Sequence, residues 1–250
     1  MDIIKIQIPL TNNVIKMLKT GNKVLLSGII YTARDEAHKK IINLILKKKS
    51  LPFKLKGSVI FYTGPTPARP SNVIGAIGPT TSNRMDSYTP LLLDHGVKGV
   101  IGKGQRSKRV IESIKKNKAV YFGAIGGAAA LLSKSVVESE VIAFKELGPE
   151  AVWRLKVKNM PLIVINDCNG NDIYTEGKKE WSQVWLESGN CEKNKNCFFI
   201  GVHPGGGWGA GCEEAVLDLA EGILKVIEAF DIVFWPVALD FKKGYRKSCW

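Results

Sequence analysis

The sequence predicts an α/β fold. Through about residue 177, short apolar runs with the character of strands alternate with stretches whose apolar residues recur at helical spacing. Glycine and proline punctuate the ends of the strand-like runs, as turns between such elements require. Hydrophobic residues make up 45% of the 250 and charged residues 24%, enough apolar material for a packed core.

Taken in order, Ile3–Ile8 alternates and reads as a strand, and Lys23–Tyr31 as a second, more buried one. Thr32-Ala33-Arg34-Asp35 leads into a helix from Glu36 to Lys49. Its Ala37, Ile41, Leu44 and Ile45 share a face, and its three closing lysines suit the negative end of the helix dipole. Ser58–Tyr62 is a strand ending at the turn Gly64-Pro65-Thr66-Pro67. Val73–Ile77 reads as another strand, running into Gly78–Asp86. A helix then carries Tyr88 and Leu91–Leu93 to a stop at Gly96. Val97–Gly102 is a strand, Ser107–Lys116 a basic helix and Val120–Phe122 a strand entering the small-residue stretch Gly123–Leu132. Val141–Phe144, Ala151–Val157 and Pro161–Asn166 complete the strands.

Residues 179–250 change character. Cys212–Phe230 forms an amphipathic helix and Ile232–Leu239 a very apolar strand, too little to close a core alone. The sequence therefore divides into 1–178 and an appended partial α/β tail. The net charge of +13 is uneven, with residues 1–180 carrying +15 and the remainder −2. A basic face can attract nucleic acid or small dianions. The clusters Lys47–Lys49 and Lys115–Lys116 lack the interleaved aromatics of a single-strand binder, so no nucleic-acid partner is expected. No apolar run approaches the ~18 residues of a membrane span, and the first residues lack a signal-peptide pattern. A cytoplasmic protein is expected. Cys168, Cys191, Cys197, Cys212 and Cys249 are odd in number, with no Cys-x-x-Cys pair.

Three segments could carry chemistry. Gly78-Pro79-Thr80-Thr81-Ser82-Asn83-Arg84 places hydroxyls, backbone N–H groups and an arginine before a helix, which suits an anion but equally an elaborate N-cap. Arg34 sits at a strand end, where α/β folds bind ligands. The plainer reading is a surface arginine, with Asp35 as a cap and His38 partly exposed. Lys103, between Gly102 and Gly104, can approach a bound anion but lacks the P-loop spacing.

Thr32–Lys39, Tyr62–Thr66, Gly78–Asp86, Gly102–Gly104, Ala124–Ala130, Leu147–Ala151 and Val164–Asp167, in that order, resemble the C-terminal domain or β subunit of class I fumarases and L-tartrate dehydratases. The resemblance covers residues 1–178. Asn83 departs from it, standing where the family has Gly or Ala. A swivelling β/β/α domain is implied, closing over a partner α subunit that carries a [4Fe-4S] cluster, in a hetero-oligomer acting on a small dicarboxylate. It also implies carboxylate binding by Arg34 and Arg84, further substrate contacts from Thr81 and Lys103, and Thr80 as the base. Asp35, His38, Ser82 and Asp86 support them, and no metal ligand is expected in 1–178. Fumarate hydration to L-malate is the implied reaction, with L-tartrate dehydration as the alternative. The segment Gly211–Glu221 with Asp231–Pro236 resembles the start of a [NiFe]-hydrogenase-type small subunit. Gly209 replaces that motif's first cysteine and leaves Cys212 alone. An electron-transfer component of a hydrogenase-like complex is the reading this would favour.

Overall fold

The computed structural model describes residues 3–177. The predicted tail, with Cys212, lies outside the described residues.

Seven strands form one mixed sheet: β1 (Ile4–Gln7), β2 (Lys23–Thr32), β3 (Val59–Phe61), β4 (Gly99–Gly102), β5 (Val120–Gly123), β6 (Val136–Ala143) and β7 (Val152–Asn166). β1 through β5 run parallel in that order. The long β7 then pairs antiparallel with β5, with β6 and with β2. Its contact with both β2 and β5 closes β2–β3–β4–β5–β7 into a small barrel, with β1 and β6 outside the ring.

Strand periodicity places the core on both faces. Val59 and Phe61, Ile101, Val120 and Phe122, Leu26 and Ile30, and Leu155, Val157 and Val164 join one buried cluster from all round the ring, so they fill the barrel. The alternate residues Ile60, Tyr62, Val100 and Tyr121 face a second cluster. That layer is completed by helices α2 (Asp35–Leu46), α3 (Thr89–Asp94) and α4 (Lys108–Asn117), through Ala37, Ile41, Leu92, Leu93, Val110 and Ile114. Parallel strands covered on both faces are apolar at nearly every position, which is how β3, β4 and β5 read.

Several expectations change. Helix α1 (Asn12–Met17) was not anticipated; Thr11 Oγ1 caps it by accepting the Val14 N–H at 3.4 Å. α2 stops at Leu46, where Lys48 turns to φ 51°, so the three lysines follow the helix rather than forming its last turn. Residues 73–77 are not a strand. Gly75 packs against the Thr66 backbone, and Ala76 and Ile77 bond to Thr66 and Ala129 instead of a ladder, although Ile74 and Ile77 are buried as expected. Two short strands predicted at 151–166 are a single strand, bent where Asn159 takes φ 52°. β6 begins earlier than predicted and ends at Ala143, because Phe144 turns left-handed at φ 56°. The small-residue stretch contains a short helix, α5 (Ala129–Ser133). No helix among the described residues is long and apolar enough to cross a membrane.

Candidate active site

Parallel strands end together, and their C-terminal ends present the residues singled out above. Arg34 follows β2, Thr63 and Gly64 follow β3, Lys103 follows β4 and Gly126 follows β5. This is the edge at which open parallel sheets usually bind ligands. Loop Gly78–Asp86 lies across it. Its Thr80 N–H donates to the Tyr62 carbonyl at 2.7 Å and its carbonyl accepts the Lys103 N–H at 3.3 Å. The Ser82 N–H donates to the Lys103 carbonyl at 2.8 Å, so Thr81 and Lys103 pair as an isolated parallel bridge. Gly102 permits this approach: a Cβ there would collide with Ser82 Oγ.

The two predicted arginines converge on one carboxylate. Arg84 is held by Asp35 in a two-pronged bond, Nε to Oδ1 at 3.1 Å and Nη2 to Oδ2 at 2.5 Å. Arg34 Nη2 lies 3.8 Å from the same Oδ2 and 3.4 Å from Glu150 Oε1. Gly64 packs between Arg34 and the Pro149 carbonyl. A Cβ at Gly64 would stand 3.0 Å from Arg34 Nη1 and 2.9 Å from the Pro149 carbonyl. Asp35 takes one edge of the Arg84 fork and leaves Nη1 without a protein partner among the described residues. Arg84 is half exposed and Arg34 one-quarter exposed. The Thr80 and Thr81 hydroxyls and the Lys103 ammonium are likewise uncommitted among the described residues. Lys103 Nζ sits over the Gly126 turn, 3.7 Å from where a Cβ would be. Two guanidinium groups, an ammonium and two hydroxyls therefore lie at or beside the C-terminal ends of the ring strands, a donor set suited to a small carboxylate ligand.

Three other predicted residues lie below the site. His38 is fully buried rather than partly exposed, because it points down into the helix-covered layer. Its Nδ1–H donates to the Arg34 carbonyl at 2.8 Å, and its ring meets Tyr62 edge-on and Tyr88 face-on. Burial lowers its pKa to about 4, and the nearby Arg106 charge adds to the effect. Ser82 is buried against Tyr121, and Asp86 accepts from Arg106 and from the Ser107 N–H. Ser82–Met85 is a single 3-10 turn with no side-chain cap, and α3 starts only at Thr89, with Pro90 in its first turn. Neither a helix N-terminus nor an N-cap thus accounts for the loop. Asp35, read as a cap, spends its carboxylate on Arg84, and the Glu36 N–H is bonded by Glu150 Oε2 at 2.9 Å instead. Sequence reasoning missed Glu150, Arg106 and Tyr121 as participants, since only folding brings them against Arg34, Asp86 and Ser82. A cleft of about 710 Å³ bordered by Pro65, Pro67, Glu140, Pro149 and Trp153 contains none of the predicted residues.

The family model described as Fumarase C-terminus matches residues 1–177, more than two thirds of the chain. The chain belongs to the Fumarase C-terminus family. Members similar to it include "Fumarate hydratase 2" of Leishmania major, 42% identical over 158 residues, which are 62% of this chain and 28% of that protein. "Fumarate hydratase class I, anaerobic" of Escherichia coli is 39% identical over 158 residues, 62% and 29% of the two chains. The "Putative L(+)-tartrate dehydratase subunit beta" of Methanocaldococcus jannaschii is 43% identical over 177 residues, 68% of this chain and 91% of that one. This family member thus spans under a third of these two fumarate hydratases and nearly all of the tartrate dehydratase subunit.

Proposed function

We propose that this chain is the substrate-holding β subunit of an iron–sulfur hydro-lyase that reversibly hydrates fumarate to L-malate. The convergence of Arg34 and Arg84 on the Asp35 carboxylate, beside Thr80 and Lys103, is the observation that carries the reading. A carboxylate already sits between these cations, and a substrate carboxylate needs the same donors.

In dehydration, malate loses a carbon-bound proton and the hydroxyl of the adjacent carbon. The C=C bond forms and water leaves. In this reading Arg34 and the free Nη1 of Arg84 hold the carboxylate next to the carbon that loses its proton. They oppose the negative charge that grows there. Lys103 holds the far carboxylate, and Thr81 adds a hydroxyl contact. Thr80 Oγ1 receives the proton. A threonine hydroxyl is a poor base in water, and the surrounding cations are what make its ionised form accessible. The described residues do not fit the [4Fe-4S] cluster. No three potential ligand side chains group among them, and Cys168 is buried in the core near the Ile15 carbonyl. The cluster is assigned to a partner α subunit. A swivelling closure of residues 1–178 over that partner, with 179–250 as a separate appendage, belongs to the same proposal.

L-Tartrate is the second substrate to consider, because the tartrate dehydratase subunit is a relative whose length this chain nearly spans. An anaerobic assay with L-malate and with L-tartrate decides between them, using the chain alone and with its cluster-bearing subunit. Turnover is expected only in the mixture. Thr80→Ala should slow it by about 100-fold or more with little change in KM, and Thr80→Ser should retain most of it. Full turnover by Thr80→Ala removes the base assignment. An assembled, cluster-loaded mixture inert to both acids removes the hydro-lyase reading.

A further inference from the structure

Arg106 is a buried charge, its side chain wholly out of solvent. Nε donates to Asp86 Oδ1 at 2.8 Å, Nη2 donates to Thr89 Oγ1 at 2.7 Å, and Nη1 has no partner. The guanidinium carbon lies 5.3 Å from the Tyr62 ring centre and 5.1 Å from that of Tyr121. Burying an ion pair gains little over apolar side chains of the same volume, so stability alone does not account for one here.

What the group touches suggests its use. Asp86 closes the Ser82–Met85 turn that carries Arg84, and its other oxygen accepts the Ser107 N–H at 2.7 Å. Thr89 donates to the Met85 carbonyl at 2.8 Å, gripping the same turn from below. Tyr121, stacked on Arg106, bridges Ser82 Oγ at 3.0 Å and the Gly104 carbonyl at 2.8 Å with its hydroxyl. Burial pushes the Tyr121 phenol up, so it keeps its proton for this bridge. The turn carrying Arg84 and the turn carrying Lys103 are thus pinned to one another at both ends.

We propose that Arg106 and Tyr121 are positioning residues that lock the Thr80–Arg84 loop to the Lys103–Gly104 turn and so set the spacing of the two exposed cations. The locking stands on the contacts above. Only the identity of what the cations hold rests on the dicarboxylate reading.

Tyr121→Phe removes one oxygen and leaves the ring in the core, and Arg106→Lys keeps the charge without the fork. Both are compared with the full-length wild type by amide hydrogen exchange, thermal unfolding and calorimetric binding of succinate, a dicarboxylate that cannot be dehydrated. In Tyr121→Phe the Ser82, Lys103 and Ser107 amides should exchange about tenfold faster, while those of β2 and α2 stay unchanged. Succinate affinity should fall about fivefold or more. Arg106→Lys should not restore wild-type behaviour, since one ammonium cannot reproduce the two-armed geometry. If it fails to fold, Tyr121→Phe decides alone. Unchanged exchange at the three amides in Tyr121→Phe overturns the proposal, as does a uniform rise that includes β2 and α2. Faster exchange at the three amides, with a wild type that binds no succinate, keeps the lock and removes the dicarboxylate reading instead.

Discussion

Five consecutive residues, Arg34 to His38, divide between an open site and a dry core. Arg34 and Asp35 stay at the edge of the sheet, while Ala37 and His38 point inward because α2 lays one face on the strands. The consequence for His38 is a pH dependence of stability. Its folded pKa is depressed from 6.5 to about 4, so between those values the unfolded chain binds the proton and the folded chain does not. Stability therefore rises with pH across that window and is lost as pH falls from about 6.5 toward 4, by at most about 3 kcal/mol from this residue. Urea unfolding at a series of pH values should show this slope, and His38→Asn should flatten it. Arg34 carries the opposite lesson. Two carboxylates beside it, Asp35 and Glu150, hold the side chain in place without covering it.

At the scale of elements, the site exists because β4 and the Gly78–Asp86 loop run close enough to exchange backbone hydrogen bonds. That approach depends on Gly102, whose missing side chain leaves room for Ser82 Oγ, with Tyr62 Cδ2 only 3.1 Å from the same point. Gly102→Ala should cost about 1–3 kcal/mol of stability, by the ordinary penalty for overfilling a packed site. It should also raise KM and lower kcat together, because it shifts Arg84 and Lys103 along with Thr80 on the same loop. Chemical denaturation and steady-state kinetics on the assembled enzyme measure the two effects. Gly64 acts similarly beside Arg34, where a Cβ would stand 3.0 Å from Nη1.

For the whole molecule, charge and openness bear on substrate capture. Residues 1–180 carry a net charge of +15, and the arginines and lysine of the site remain accessible. A dianion approaching it is attracted over distances comparable to the screening length, about 8 Å at physiological salt. Raising the salt from low to several hundred millimolar should increase KM about threefold and leave kcat nearly constant, as initial rates on the assembled enzyme would show. At such exposed strand ends the proposed substrate would stay wet on one side. A second chain closing over it would exclude that water and strengthen each charge interaction.

Much of the alternation of strands and helices was legible in the sequence, though not α1, α5 or the continuity of β7. That part depends on local periodicity and turn chemistry, while Arg34, Thr80, Arg84 and Lys103 were named as candidates from contiguous motifs. Residues 73–77 misled because their apolar alternation is real while their hydrogen bonds go to Thr66 and Ala129, a fact of three-dimensional neighbourhood. Only the tertiary structure decided that β7 returns across β2 and β5 to close a barrel. That closure lines up the strand ends and brings Asp35 to Arg84 across 49 positions and Glu150 to Arg34 across 116. It also set Arg106 between Tyr62 and Tyr121. Long-range pairings of this kind leave no trace in a window of neighbouring residues, because the free energy that selects them comes from burying surfaces that meet only after the chain has folded.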